Sequence, residues 1–122
     1  MSIEKRLTIV ARYNEDISWT ENLPGDVVIY NKGESFPFDM PRIDVKNIGR
    51  EAETYIRAIV EFYDQLEDFE SICFLQGNPF CHCPELMDIL SKHMFMYFKE
   101  NKFVYEPIIF LSLYGIFNIS KK

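Results

Sequence analysis

Four polar stretches of this chain carry residues suited to holding an anion or accepting a proton. Arg12-Tyr13-Asn14-Glu15-Asp16 combines a cation, an amide and two carboxylates. Asn31-Lys32-Gly33 offers an amide and an ammonium. Asn47-Ile48-Gly49-Arg50-Glu51 adds an amide, a guanidinium and a carboxylate. Gln76-Gly77-Asn78-Pro79-Phe80-Cys81-His82 contributes two amides and an imidazole. Arg binds phosphate through a two-pronged fork and Lys as a point charge. Each stretch also has a plainer reading. Gly, Pro and Asn are ordinary turn residues, charged loops are commonly solvated, and a single Lys belongs on the surface by default.

Position gives the functional reading its weight, because three of the stretches directly follow apolar runs. Leu7-Thr8-Ile9-Val10-Ala11, Val27-Val28-Ile29-Tyr30 and Ser71-Ile72-Cys73-Phe74-Leu75 read as strands buried on both faces, the mark of a parallel sheet. Gly77 and Pro79 end the third run, since Gly frees the backbone and Pro lacks an N–H. Open α/β sheets hold ligands at the carboxyl ends of such strands. Between the first two runs, Ile17 to Asn22 reads as a short helix capped by Asp16 or Ser18, with Trp19 facing inward. Glu34 to Asn47 contains Pro37 and Pro41 and reads as a connection packed through Phe36 and Phe38.

The strongest helical pattern spans 48–66. Ala52, Tyr55, Ile56, Ile59, Val60, Tyr63 and Leu66 trace one face, and Asn47 suits the N-cap. This face is expected to bury Tyr55, Ile56, Ile59 and Tyr63. Arg50 falls in the first turn, against the helix dipole. That placement suits a residue meeting an anion at a helix N-terminus; a salt bridge to Glu51 or another carboxylate explains it equally well. A second helix is expected near 84–99, opened by Pro84. After it, Phe103 to Leu111 and Tyr114 to Asn118 read as one or two edge strands, because Pro107 disfavours a central position.

Strands alternating with helices predict one three-layer, Rossmann-like α/β domain over residues 1–122, with a mostly parallel sheet. The polar loops should then converge on one edge with the helix start at Asn47-Glu51. The 122 residues are 48% hydrophobic and 16% aromatic, enough for a real core and unlike a disordered chain. A net charge of −6 without a basic block argues against nucleic acid as a partner. No apolar run reaches the ~20 residues of a membrane span. The N-terminus lacks a signal-peptide pattern, and an odd cysteine count suggests free thiols, so a soluble cytoplasmic protein is expected. A metal centre on Cys73, Cys81, Cys83 and His82 or His93 is disfavoured. Cys81-x-Cys83 is too tight for usual ligand spacing and Cys73 falls inside a buried strand.

The segments Val10-Ala11-Arg12-Tyr13-Asn14-Glu15-Asp16-Ile17-Ser18-Trp19, Ile29-Tyr30-Asn31-Lys32-Gly33, Asn47-Ile48-Gly49-Arg50-Glu51-Ala52-Glu53-Thr54-Tyr55 and Phe74-Leu75-Gln76-Gly77-Asn78-Pro79-Phe80 together resemble a domain-of-unknown-function family found in fungi, bacteria and large viruses. The resemblance spans about residues 7–90. That family looks glycosyltransferase-like, and the Asn-x-Gly-Arg-acid stretch is similar to one in rhamnan-synthesis-type glycosyltransferases. The resemblance implies a glycosyltransferase-A-like fold binding a nucleotide-sugar. Arg12 and Lys32 would neutralise the diphosphate, and Asn14, Asn31 and Asn78 would bond base or sugar. Arg50, held by Glu51, would face the anion, and Asn47, Gln76, Gly77 and His82 would complete the lining. Glu15 or Asp16 would be the catalytic base. The alternative is a non-catalytic nucleotide- or sugar-binding module of the same fold. The usual Asp-x-Asp of metal-dependent transferases is absent, with Gln76-Gly77-Asn78 in its place. A divalent cation is the cofactor that the resemblance leaves open.

Overall fold

Each buried strand alternates its side chains between two apolar layers, and this alternation builds the molecule. The computed structural model describes residues 5–37, 39–81, 84–91 and 108–112. Strand β1 spans Arg6–Arg12, β2 Asp26–Asn31, β3 Arg42–Asp44 and β4 Ser71–Gln76. Helix α1 spans Arg50–Glu61 and α2 Leu86–Leu90, and β5 covers Ile108–Ser112. The sheet runs β3-β2-β1-β4-β5. β1 pairs in parallel with β2 and β4, β2 pairs in parallel with β3, and β5 runs antiparallel on β4. This is a Rossmann-like α/β domain with a mostly parallel sheet, as expected. β3 is a correction, because the stretch 34–47 was expected to be all connection; Ile43 faces the core and Arg42 and Asp44 are exposed, which suits an edge.

Leu7, Ile9, Ile72 and Phe74 point to the α1 side, where they meet Tyr30, Tyr55 and Ala58. Val10, Ile29, Cys73 and Leu75 point the other way and meet Ile17, Leu23, Phe36, Leu86 and Leu90. The expected short helix is a 3-10 turn over Ser18–Asn22, and Trp19 packs edge-on against Phe80 with centroids 5.1 Å apart. The buried Arg6 donates to the Leu90 carbonyl at 2.7 Å, so a guanidinium sits at the carboxyl end of α2 as the dipole favours. Burial raises the Tyr30 hydroxyl above its ordinary pKa, and this O–H donates to Glu61.

The main helix differs from expectation at both ends and in its inward face. It starts at Arg50, after Gly49 in the left-handed region, so Asn47 is not the N-cap. It stops at Glu61, and a 3-10 turn over Tyr63–Asp68 follows. Tyr55 is buried and Ile59 partly buried, but Ile56 and Tyr63 are 65% and 71% exposed. Thr54 and Ala58 take the inward positions instead. Their small side chains let the helix lie close to β1, and the stripe through Ile56, Val60 and Tyr63 turns outward. Ile56→Ser should therefore change stability by less than about 0.5 kcal/mol in chemical denaturation. A loss above ~2 kcal/mol would place Ile56 in the core. The residues expected to continue α2 beyond 91 and to precede β5 lie outside the described residues. No helix among the described residues is long and apolar enough to cross a membrane.

Candidate functional site

From β1 the chain passes to β2 and β3 on one side, and α1 then returns it to β4 on the other. Strand order reverses at β1, which leaves a crevice between the carboxyl ends of β1 and β4, the place where open α/β sheets bind ligands. A cavity of about 400 Å³ lies there. Its wall includes Arg12 at the end of β1 and Glu15 beyond it, Lys32 after β2, Asn47 ahead of α1 with Arg50 and Glu51 at its start, and Gln76 at the end of β4 with Gly77 and Asn78 beyond it. The polar loops do converge.

They are also stitched together. The Lys32 N–H donates to the Arg12 carbonyl at 2.8 Å, and the Glu34 N–H to Asn14 Oδ1 at 2.8 Å. Trp19 Nε1–H donates to the Gly77 carbonyl at 3.0 Å. Gly77 leaves room for Glu15, since a Cβ there would stand 2.4 Å from Glu15 Oε1.

Arg12 lines the cavity, yet most of its guanidinium is used within the protein. Nε donates to the Glu15 carbonyl at 2.9 Å, and one Nη donates to Asn31 Oδ1 at 2.8 Å and to the Glu34 carbonyl at 2.5 Å. Asn31 is buried; its Nδ2 donates to Gly33, Glu34 and Asp44. Asn14 and Asp16 lie outside the cavity wall. Asp16 Oδ1 accepts the Ser18 N–H at 2.9 Å, and this bond holds its carboxyl below the ordinary carboxylate range. His82 lies outside the described residues.

Glu15 and Arg50 have capacity to spare. Glu15 Oε1 accepts the Tyr13 N–H at 2.7 Å, and its Oε2 makes no hydrogen bond among the described residues. Glu51 Oε1 accepts from Gln76 Nε2 at 3.3 Å. The exposed Arg50 side chain makes no hydrogen bond or ion pair among the described residues, so the salt bridge to Glu51 or another carboxylate, one of the two readings of its placement, is not formed there. Its backbone has φ 55°, the one positive φ outside glycine among the described residues. An L-residue held there costs about 1–3 kcal/mol and marks a position fixed by its surroundings. No side chain caps the first turn of α1 beside it.

Glu53 was missed as part of this framework. Its carboxylate sits 2.8 Å from Lys32 Nζ and 2.7 Å from the Arg57 guanidinium, and the bond from Lys32 holds its pKa down. The sequence showed only its four-residue spacing from Arg57. Thr54 was missed because a buried threonine on a helix carries no distinguishing pattern.

Among the described residues, no group of three or more His, Cys, Asp or Glu is placed to hold a metal ion. No family model, no curated protein and no solved structure matches the chain.

Proposed function

We propose that the crevice between β1 and β4 binds an anionic, hydroxyl-bearing small molecule, with a nucleotide-sugar as the ligand of a glycosyltransferase-like protein. The observation that carries this reading is Arg50, a guanidinium without a partner among the described residues, on the cavity wall beside an uncapped helix start. Backbone N–H groups and a guanidinium together favour phosphate. Gln76, Asn78 and Glu51 supply amide and carboxylate groups for sugar hydroxyls or a base. Glu15 Oε2 is the candidate base for an acceptor hydroxyl. The resemblance of the Asn47-Glu51 stretch to rhamnan-synthesis-type glycosyltransferases supports the same ligand class.

The second reading is a binding module without turnover. It is favoured by Gln76 and Asn78, which put amides where a metal-bound diphosphate would need carboxylates. Titrating a panel of nucleotide-sugars by calorimetry, then assaying hydrolysis and transfer, separates the two. Binding with turnover supports the enzyme, binding alone supports the module, and no binding rejects both.

Arg50 variants give a sharper expectation. Arg50→Lys should keep the fold and weaken nucleotide-sugar binding on the order of tenfold, because Lys lacks the fork. Arg50→Gly should weaken binding further while raising stability by about 1 kcal/mol, since Gly relieves the positive φ. Opposite signs in the two measurements identify a residue kept for binding. Lower stability with unchanged affinity in both variants would make Arg50 a purely structural residue.

A further inference from the structure

Lys32 stands on the cavity wall, where its charge would be expected to meet an anion. Its contacts say otherwise. An ammonium has three N–H donors. Lys32 Nζ lies 2.5 Å from the Ile48 carbonyl, 2.7 Å from the Arg50 carbonyl and 2.8 Å from Glu53 Oε1. Its side chain is 5% exposed. Two backbone carbonyls accept from the ammonium, and the Glu53 carboxylate beside it offsets the charge as an ion pair. Two of those acceptors flank the left-handed pair Gly49 and Arg50, at φ 75° and 55°. Glu53 fits there because Gly49 has no side chain; a Cβ on Gly49 would stand 2.4 Å from Glu53 Cβ.

We propose that Lys32 is a positioning residue that clamps the Ile48–Arg50 backbone and Glu53, so that the Arg50 guanidinium is presented to the cavity. Lys32 itself does not bind the anion. The clamp supplies what an unfavourable φ at Arg50 requires, namely local bonds that hold the strained geometry. The proposal rests on Arg50 being the anion-holding group.

The test titrates inorganic pyrophosphate by calorimetry into the wild type, Lys32→Arg, Arg50→Met and the double variant, each well below its melting temperature. Lys32→Arg keeps the charge, but a planar fork cannot converge on these three oxygens as an ammonium does. It should weaken binding by roughly tenfold or more, the scale of a lost charge-assisted hydrogen bond. The double variant should bind no more weakly than Arg50→Met alone, because Lys32 acts only through Arg50. Lys32→Gln, uncharged but still a donor, is a second variant held to the same non-additivity should the arginine disturb folding. Unchanged affinity with a lowered melting temperature would make Lys32 merely structural and overturn the proposal. Additive losses would mean that Lys32 touches the anion, and would overturn it too. A wild type that binds no pyrophosphate overturns the anion reading of Arg50 and this role with it. Failure of the Lys32 role alone shows instead as wild-type binding with additive or absent effects.

Discussion

Gly33→Ala should lower stability by roughly 3–5 kcal/mol, because the space a Cβ needs is filled by backbone. That Cβ would stand 1.6 Å from the Tyr13 carbonyl oxygen and 2.3 Å from Asn14 Oδ1. A flexible side chain would swing away, but the Tyr13 carbonyl belongs to the loop leaving β1 and cannot. The loops after β1 and β2 must separate. Separation breaks the Lys32 N–H bond to the Arg12 carbonyl and the Glu34 N–H bond to Asn14 Oδ1. Overpacking alone typically costs about 1–3 kcal/mol, and each lost hydrogen bond adds about 1. The melting temperature should fall by at least about 10 °C. Pyrophosphate affinity should fall as well, since Lys32 would no longer sit under Arg50. A melting temperature within ~2 °C of wild type would mean that these loops are not in contact.

The strands were legible because their burial on both faces leaves a compositional mark. Leu7 to Ala11, Val27 to Tyr30 and Ser71 to Leu75 are near-continuous apolar or β-branched runs, and the observed strands extend them by a residue or two. β3 left no such mark, since three residues with a single core-facing isoleucine do not differ from a loop. The face of α1 was misread for a different reason. Its apolar residues cover a broad arc, so periodicity alone could not say which edge packs. Thr54 and Ala58, neither of them large nor strongly apolar, decided it through close approach to the sheet.

The site was legible in its location more than in its roles. Strand ends followed by polar residues located the cavity, and nine of the expected residues line it: Arg12, Glu15, Lys32, Asn47, Arg50, Glu51, Gln76, Gly77 and Asn78. What each polar group bonds to depends on neighbours far away in the chain. Arg12 meets Asn31 and Glu34 only once β1 and β2 are paired. Lys32 meets Glu53 only once α1 is docked. A cation aimed at loop carbonyls and one aimed at a ligand look the same in sequence.

Arg12 carries the second large expectation, and it divides these two roles. Arg12→Met should lower stability by about 3–5 kcal/mol, a large share of the ~5–15 kcal/mol typical of a domain. The guanidinium satisfies the Glu15 carbonyl, Asn31 Oδ1 and the Glu34 carbonyl, and it lies over the Phe36 ring with a 5.0 Å separation. Methionine fills similar space but donates nothing. Each hydrogen bond to a charged group contributes about 1.5–3 kcal/mol, and a buried carbonyl left unmet costs about 1–3. Asn31 Oδ1 keeps the Gly33 N–H and the Glu34 carbonyl keeps the Asn31 Nδ2–H, so the Glu15 carbonyl is the most affected acceptor. The Glu15 carbonyl then depends on water entering the loop junction, and the Glu34 carbonyl is held by one donor where it had two, so local opening should rise there first. Amide exchange should accelerate at Gly33 and Glu34, whose N–H groups are held by Asn31 and Asn14. Arg12→Lys should recover only part of the loss, because one ammonium on a shorter stem cannot span acceptors on three segments. Had Arg12 served chiefly to neutralise a diphosphate, Arg12→Met would leave the denaturation midpoint nearly unchanged and weaken pyrophosphate binding alone. Denaturation and calorimetry on the same variant decide the matter: a stability loss under ~1 kcal/mol with weakened binding would return Arg12 to the ligand.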